Sequence, residues 1–402
     1  MQEIFRLSIL VVLLCLAIVG MHFSVGPNAI SRESHMQDQI GIDRNSYYRR
    51  RYFFIDKTGK VVIDASKYES VLGFSEGLAA VRDGQGWGFI DKDGKGLMET
   101  RFQAVDSFSE GLAAVQVEDL WGFIDREGRM VIEQQYESAN PFSEGIAVVV
   151  RGKSRNPSHP VEMDGSQSIV VQSRVVRRKR VLVGGPTADL SSDEAAQIEN
   201  KEVLLIDRNG QTILTRSTEE LQLNMHERSR FSEGLIDAYD CASRKIGFID
   251  KTGGFVIEPR YRQAAPFSEG LARVAVEENG EEILRFIDHS GDFKMWSKFN
   301  TDADFSRNST DFSEGLASLT EGLRPTVTDE AKFVYIDNQG VIVLHTSFFC
   351  AGRFRDGFAS VYDAEKDAWG FIDKSGKVVI PIKYYSVSDF SDGLASVGIL
   401  TK

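Results

Sequence analysis

Cysteine is nearly absent from this chain: three in 402 residues, too few for a disulfide framework or a four-cysteine zinc site. Basic charge is in deficit, with 47 Lys and Arg against 59 Asp and Glu and a formal net charge of −12. Binding nucleic-acid phosphates needs a surplus of Lys and Arg, so nucleic acid is excluded as the main partner. The six histidines (His22, His35, His159, His226, His289, His345) show no H-x-x-x-H or other paired spacing, so no metal site is expected. Missing too are G-x-S-x-G, the Walker A string and a G-x-G-x-x-G in strand-to-helix context, and no cofactor is expected. What the chain does have is 36 glycines and 42% hydrophobic residues, enough for a packed core rather than global disorder.

One apolar run stands out at the N-terminus. From Leu7 to Phe23 there is no charged side chain, and Arg6 sits just before the run. That is the pattern of a secretory signal or a signal anchor. Its length is at the lower edge of the roughly 17–25 residues needed to span a hydrocarbon core. Gly20, Ser24 and Gly26 give no clean A-x-A-type cleavage site, and Leu14 before Cys15 does not suit lipid attachment. Residues 1–26 are therefore read as a signal peptide or signal anchor, with membrane contact through residues 7–23 if uncleaved. The expected location is periplasmic or extracellular, or tethered to the cytoplasmic membrane. Residues 27–50 are read as a polar tether with little to bury.

The rest of the chain repeats. The string Ile-Asp-x-x-Gly begins at Ile55, Ile90, Ile124, Ile206, Ile249, Ile287, Ile336 and Ile372. A second string, Phe-(Ser/Arg)-(Glu/Asp)-Gly, begins at Phe74, Phe108, Phe142, Phe231, Phe267, Phe312, Phe354 and Phe390. The two alternate without exception, so residues 51–402 form one array of eight units. Steps between successive Phe positions are 34, 34, 89, 36, 45, 42 and 36 residues, placing insertions in units four, six and seven.

Unit three shows the local grammar. Trp121 to Asp125 is rich in aromatic and β-branched residues, as a strand is. Asp125 opens a turn and Gly128 supplies the positive φ that closes a hairpin onto the strand Arg129 to Ile132. A polar stretch containing Tyr136 leads to a second Gly-terminated turn, Phe142 to Gly145, and a third strand from Ile146 to Val150. Each unit is thus an antiparallel meander of three short strands, with a fourth allowed around the Tyr, and the fold class is all-β.

The elements Trp-Gly-Phe-Ile-Asp-Lys-x-Gly (Trp87 to Gly94, Trp369 to Gly376), Val-Ile-x-Pro-x-Tyr (Val256 to Tyr261) and Phe-Ser-Glu-Gly-Leu-Ala resemble the bacterial WG, or KWG, repeat. The resemblance spans roughly Tyr52 to Val397, apart from insertions. The Trp-Gly pair itself stands only at Trp87, Trp121 and Trp369; its equivalents are Tyr52-Phe53, Val203-Leu204, Ile246-Gly247, Leu284-Arg285 and Phe333-Val334. The resemblance implies β-repeat interaction modules without a shared chemistry.

The array opens on a Trp-type strand at Tyr52 and ends on a third strand, Leu394 to Val397. That offset lets the two ends complete one blade, whereas an open stack would leave two exposed edges needing caps. A propeller-like ring of eight small blades is preferred, with an open β-solenoid as the alternative.

Eight recurrent carboxylates (Asp56, Asp91, Asp125, Asp207, Asp250, Asp288, Asp337, Asp373) invite a metal or catalytic reading, but each lies three residues before a Gly and a turn accounts for them all. Catalysis needs acids in distinct environments, which eight equivalent ones do not provide. The acid of the second turn is Glu in six units and Asp at Asp356 and Asp392; its recurrence predicts a hydrogen bond to a neighbouring unit's backbone or to a basic residue. Trp87, Trp121 and Trp369 share their position with aliphatic residues, so they read as core rather than as sugar-stacking platforms. Cys241 and Cys350 either pair in an exported chain or stay as free buried thiols.

The insertion at about 151–202 carries a basic cluster, Arg177, Arg178, Lys179 and Arg180, within a β-forming run. It reads as a solvated loop or as a docking arm for an anionic surface. Together these features predict a non-catalytic binding scaffold of the cell envelope, not an enzyme, whose partner is a protein or an envelope component. The alternative is a propeller-type envelope hydrolase using acids in irregular loops, for example Asp302 or Asp304.

Overall fold

In the computed structural model, residues 49–97, 102–152, 201–217, 221–223, 230–278, 280–295, 310–321 and 332–401 are described. Among them the chain forms thirty strands, numbered β1 to β30 in chain order, and no helix. The strands fall into eight antiparallel sheets of three or four strands each.

One sheet shows the plan: β6 (Ala104–Val105), β7 (Leu112–Val117), β8 (Leu120–Asp125) and β9 (Met130–Tyr136), hydrogen-bonded in that order. The short strand Ala104–Val105 and the β7 strand belong to one sequence repeat, and the Trp-type strand and its hairpin partner to the next. β7 and β8 are buried along four successive residues, on both faces. Continuous apolar runs such as Leu112-Ala113-Ala114-Val115 follow from that, because each sheet is covered on either side by a neighbour. β9 instead alternates, with Val131 44% exposed and Ile132 buried, as a strand at a free edge does.

The ring is closed by the two ends of the repeat array. β30 (Leu394–Thr401) pairs with β1 (Arg49–Asp56) over eight positions, from Arg49↔Thr401 to Asp56↔Leu394. With β2 (Val61–Asp64) and β29 (Ser386–Val387) they make a single sheet in the order β2-β1-β30-β29. The eight sheets form an eight-bladed β-propeller, and the open stack is set aside. The boundary differs slightly from the sequence reading: Arg49 and Arg50, assigned there to the tether, are already part of the closing strand.

The core is correspondingly divided into eight apolar clusters rather than one. The cluster holding Trp121, Phe123, Ile132 and Tyr136 also contains Ala139, Phe142, Val149 and Leu204 of the following blade. Seven aromatic pairs stitch successive blades, among them Phe54–Phe74, Phe89–Phe108, Phe123–Phe142 and Phe371–Phe390, with ring centroids 4.8–4.9 Å apart. Such pairs contribute about 0.5–1.5 kcal/mol each beyond the area they bury.

Candidate functional site

The repeated polar residues are committed to the frame. At each Ile-Asp-x-x-Gly string the glycine N–H donates to the Asp carbonyl, for example Gly59 to Asp56 at 2.9 Å and Gly376 to Asp373 at 2.9 Å. The Asp carboxylate then accepts the next backbone N–H groups, as Asp125 does from Glu127 at 3.1 Å and Arg129 at 2.9 Å. The Thr58, Thr252 and Ser375 hydroxyls hold the carboxyls of Asp56, Asp250 and Asp373 below the usual range. Asp91, Asp207, Asp288 and Asp337 make the same backbone bonds. Trp87, Trp121 and Trp369 lie between blades at 2%, 5% and 3% exposure, closed to a planar ligand.

The second motif closes on itself around the whole ring. Its acid sits at φ near +55° and its glycine near +80°, so the two-residue turn is of type I′. A left-handed Glu is unfavourable by itself, and its carboxylate supplies the compensation by accepting the glycine N–H of the next turn. Glu76 binds Gly111, Glu110 binds Gly145, Glu144 binds Gly234, and so on to Asp392, which binds Gly77. All eight links are present, at 2.7–3.1 Å. Six of the motif serines add a second link, donating Oγ–H to the carbonyl of the next motif's Phe at 2.6–2.7 Å. A basic residue from the neighbouring Ile-Asp turn reaches the same acid, as Lys251 does to Glu144 at 3.4 Å and Lys374 to Glu314 at 3.2 Å. Radial blades approach one another most closely at the axis, so these turn-to-turn bonds place the motif around the central channel and the β9-type strands outside.

Against this regular collar, a few side chains break the pattern. The residue before the motif Phe is Gly73, Ser107, Pro141 and Pro266 in units one, two, three and five, but Arg230, Asp311, Arg353 and Asp389 in units four, six, seven and eight. In unit seven the motif serine is itself replaced, by Arg355. Arg230 lies within electrostatic range of Arg353, Asp311 and Arg355, although units four and seven are three blades apart. Each of these residues stands next to a motif Phe and so beside the collar.

The charges are only partly matched. Arg273 is buried and grips Asp311 through Nη2 and Nε at 2.9 and 3.2 Å. Arg353 Nε faces Asp389 Oδ2 at 3.5 Å. Among the described residues the side chains of Arg230 and Arg355 make no hydrogen bond or close ion pair, although Asp311 attracts Arg230 and both Asp389 and Asp356 attract Arg355. Both arginines are open to solvent, yet burial lowers their pKa values, and so does their proximity to Arg353. Burial raises the Asp389 pKa, opposed by Arg353 and Arg355. Tyr335, fully buried beside it, donates its hydroxyl to the Gly352 carbonyl at 2.7 Å.

The sequence reading did not single out these arginines; the available signal was the column of residues flanking the motif Phe, compared across units. The basic cluster it did single out, Arg177, Arg178, Lys179 and Arg180, lies outside the described residues, as do the N-terminal apolar run, Asp302 and Asp304. The insertion leaves the ring between Gly152 and Lys201, which are paired strand residues. Cys241 is half-buried and Cys350 buried, and no disulfide joins them. Among the described residues no cluster of three or more His, Cys, Asp or Glu is placed to hold a metal, and no helix is long and apolar enough to cross a membrane.

A family model described as WG containing repeat matches residues 52–86, 87–121, 121–153, 246–279 and 369–399. The chain carries WG containing repeats. No curated protein sequence matches it. Among solved structures it is similar to AztD from Citrobacter koseri, at 13% identity and a TM-score of 0.42, with 87% of this chain and 98% of that one covered. It is also similar to an uncharacterised protein from Listeria monocytogenes, at 9% identity and a TM-score of 0.41, with 77% and 93% covered. Similarity at this level carries no argument about ligands. The matched WG repeats begin at Tyr52, Trp87, Trp121, Ile246 and Trp369. Arg230, Arg353 and Arg355 all lie outside them, on the units that depart from the WG pattern.

Proposed function

We propose that this protein is a non-catalytic binding scaffold of the cell envelope, with a ligand site at the axis of a WG-repeat propeller. The observation that carries the reading is a division of labour. The acids that recur in every unit are occupied by turns and by the collar of blade-to-blade bonds, while charged residues that follow no repeat pattern, Arg230, Asp311, Arg353, Arg355 and Asp389, stand beside that collar. Function sits on such departures because a repeat position already serving the fold cannot be spared. The charged apolar-run signature of the N-terminus supports export, with the propeller free or tethered beyond the membrane and its partner a protein or an envelope component.

The competing reading is a hydrolase. It would need an acid and a base in different environments, and Asp389, raised by burial, is the channel group nearest to that description. The test is a panel of chromogenic glycoside, ester and phosphoester substrates offered to the wild-type chain and to Asp389→Asn. The scaffold reading predicts no turnover that depends on Asp389. Turnover by the wild type that the Asn variant loses, with the melting curve unchanged, would establish the enzyme instead.

A further inference from the structure

We infer that Arg49, Arg50 and Arg51, with Leu400 on the facing strand, form a contact for the anionic phospholipid headgroups of the membrane that holds the N-terminal apolar run. The inference rests on the tethered form of the scaffold proposed above and goes beyond it by giving the propeller an orientation.

The first observation is where the chain enters the ring. In each blade both turn motifs lie at one end of the strands: Leu112 faces Asp125 there, whereas Val117 faces Leu120 at the other end. The closing sheet follows the same plan, with Asp56 opposite Leu394 at the collar end and Arg49 opposite Thr401 at the far end. Arg49 is also the first propeller residue reached from the uncharged run Leu7 to Phe23, whatever path residues 24–48 take. Along the chain, a membrane holding that run is therefore nearest to the face opposite the collar.

The second is the form of that end. The β2 ladder on β1 starts at Phe53, and β29 pairs with β30 at Val397 and Gly398. Beyond them the pairs Arg49–Thr401, Arg50–Leu400 and Arg51–Ile399 make a two-stranded ribbon with no further strand on either side. All three arginines are exposed, and Leu400 is 40% exposed. Arg50 lies over the Tyr385 ring, 5.5 Å from its centroid, which steadies the side chain. Arginines beside an open leucine suit the boundary where headgroups meet acyl chains, since guanidinium groups take the phosphates and the leucine the apolar layer.

The third is how charge is distributed over this face. Asp64 of β2 attracts Arg51 and offsets part of the ribbon's charge. Other tips on the face have the opposite sign, with Glu118 and Asp119 on one, Glu278 and Glu281 on a second, and Asp363 and Glu365 on a third. Lys366 pairs with Asp363 on the last of these, and Arg82 balances Asp83 on a fourth. Arg244 and Lys245, set against Asp240, lie four blades from the closing sheet, on the opposite side of the ring. Exposed charges act over about 8 Å at physiological ionic strength, so a surface reads the nearest residues rather than the net −12. An anionic surface approaching this face thus meets attraction at the ribbon and little at the tips beside it. The collar, with Arg230, Arg353 and Arg355 beside it, is left facing away from the membrane.

The experiment is amide hydrogen exchange of the full chain reconstituted in vesicles of phosphatidylcholine alone and of phosphatidylcholine mixed with phosphatidylglycerol. Amides of residues 49–51 and 399–401 are expected to exchange at least about tenfold more slowly in the anionic vesicles. High salt should remove the difference. So should the combined change Arg49→Gln, Arg50→Gln and Arg51→Gln, whose exposed positions keep the melting temperature within about 2 °C of wild type. Equal exchange in both vesicles, or slowing that survives the triple change, would overturn the inference while the tether stands. A chain recovered in the soluble fraction with both kinds of vesicle would instead overturn the tether, and this inference with it. Equal slowing by soluble polyglutamate without vesicles would assign the ribbon to an acidic protein and overturn the lipid contact.

Discussion

Trp121→Ala is expected to lower the unfolding free energy by about 3–5 kcal/mol, the range for large-to-small changes at buried aromatic positions. Trp121 is 5% exposed and packs among Tyr136, Phe123 and Ile132 of its own blade and residues of the next. Burying an indole removes roughly 150–250 Å² from water, about 4–6 kcal/mol gross at about 25 cal/mol per Å². The collar and the flanking hairpins stay in place around the missing side chain, so the cavity cannot fully collapse. A urea titration followed by fluorescence or circular dichroism gives the number. A wild-type midpoint for the variant would mean that the side chain is not part of the core.

A comparable loss, about 3 kcal/mol, is expected for Gly247→Ala, although the change adds a single methyl group. The reason is the bulged outer strand. In three units one glycine, Gly122, Gly247 or Gly370, faces three residues of the partner strand: Trp121 pairs with Tyr136 while Phe123 pairs with Ile132, and the same offset occurs at Ile246–Tyr261 and Trp369–Tyr384. The bulge brings backbone down onto the glycine. A Cβ on Gly247 would stand 2.4 Å from the Ile257 carbonyl oxygen and 2.8 Å from Pro259 N, neither of which can rotate away. Gly96, where an added Cβ meets nothing within 4 Å, is the control and its Ala variant should melt within about 1 °C of wild type. Equal effects at the two positions would refute the steric account.

That bulge also explains which units keep the Trp-Gly pair. Where the second residue is Leu204, Val334 or Phe53, the outer strand runs in regular register, Leu204 opposite Thr215, Val334 opposite His345 and Phe53 opposite Asp64. The glycine and the downstream Tyr are therefore one device, in which the bulge carries the Tyr into the core and the glycine makes room for it.

Much of the architecture could be read from the chain because it rests on local rules written several times over. Asp and Gly at fixed spacing specify a turn, and eight alternating turns specify a meander. The unmatched strands at Tyr52 and Leu394 specify where the ring closes. The acid of the second motif was legible as a bond to a neighbour, and it turned out to bind both a backbone N–H and a basic side chain. Its left-handed backbone was not legible, since Glu is a poor residue for that conformation and only the next blade makes it tolerable. The channel cluster was hidden for a different reason. Arg230, Arg353, Arg355 and Asp389 lie on three different units and each is unremarked beside its own turn; only comparison of one unit with the next singles them out. Local pattern encodes the frame well and the site poorly, because the site is made of exceptions to the pattern.

The division between frame and exception implies that Arg355 occupies a frame position at the expense of the frame. Its most direct test is the melting temperature of Arg355→Ser against wild type in buffer free of phosphate and sulfate. Restoring the serine supplies the missing Oγ–H bond to the next blade, about 1 kcal/mol, and relieves repulsion among three guanidinium groups. In a chain this size the melting temperature should rise by about 1–3 °C. A fall of similar size would show that Arg355 holds the propeller together, and would contradict the division between a repeated frame and an irregular site.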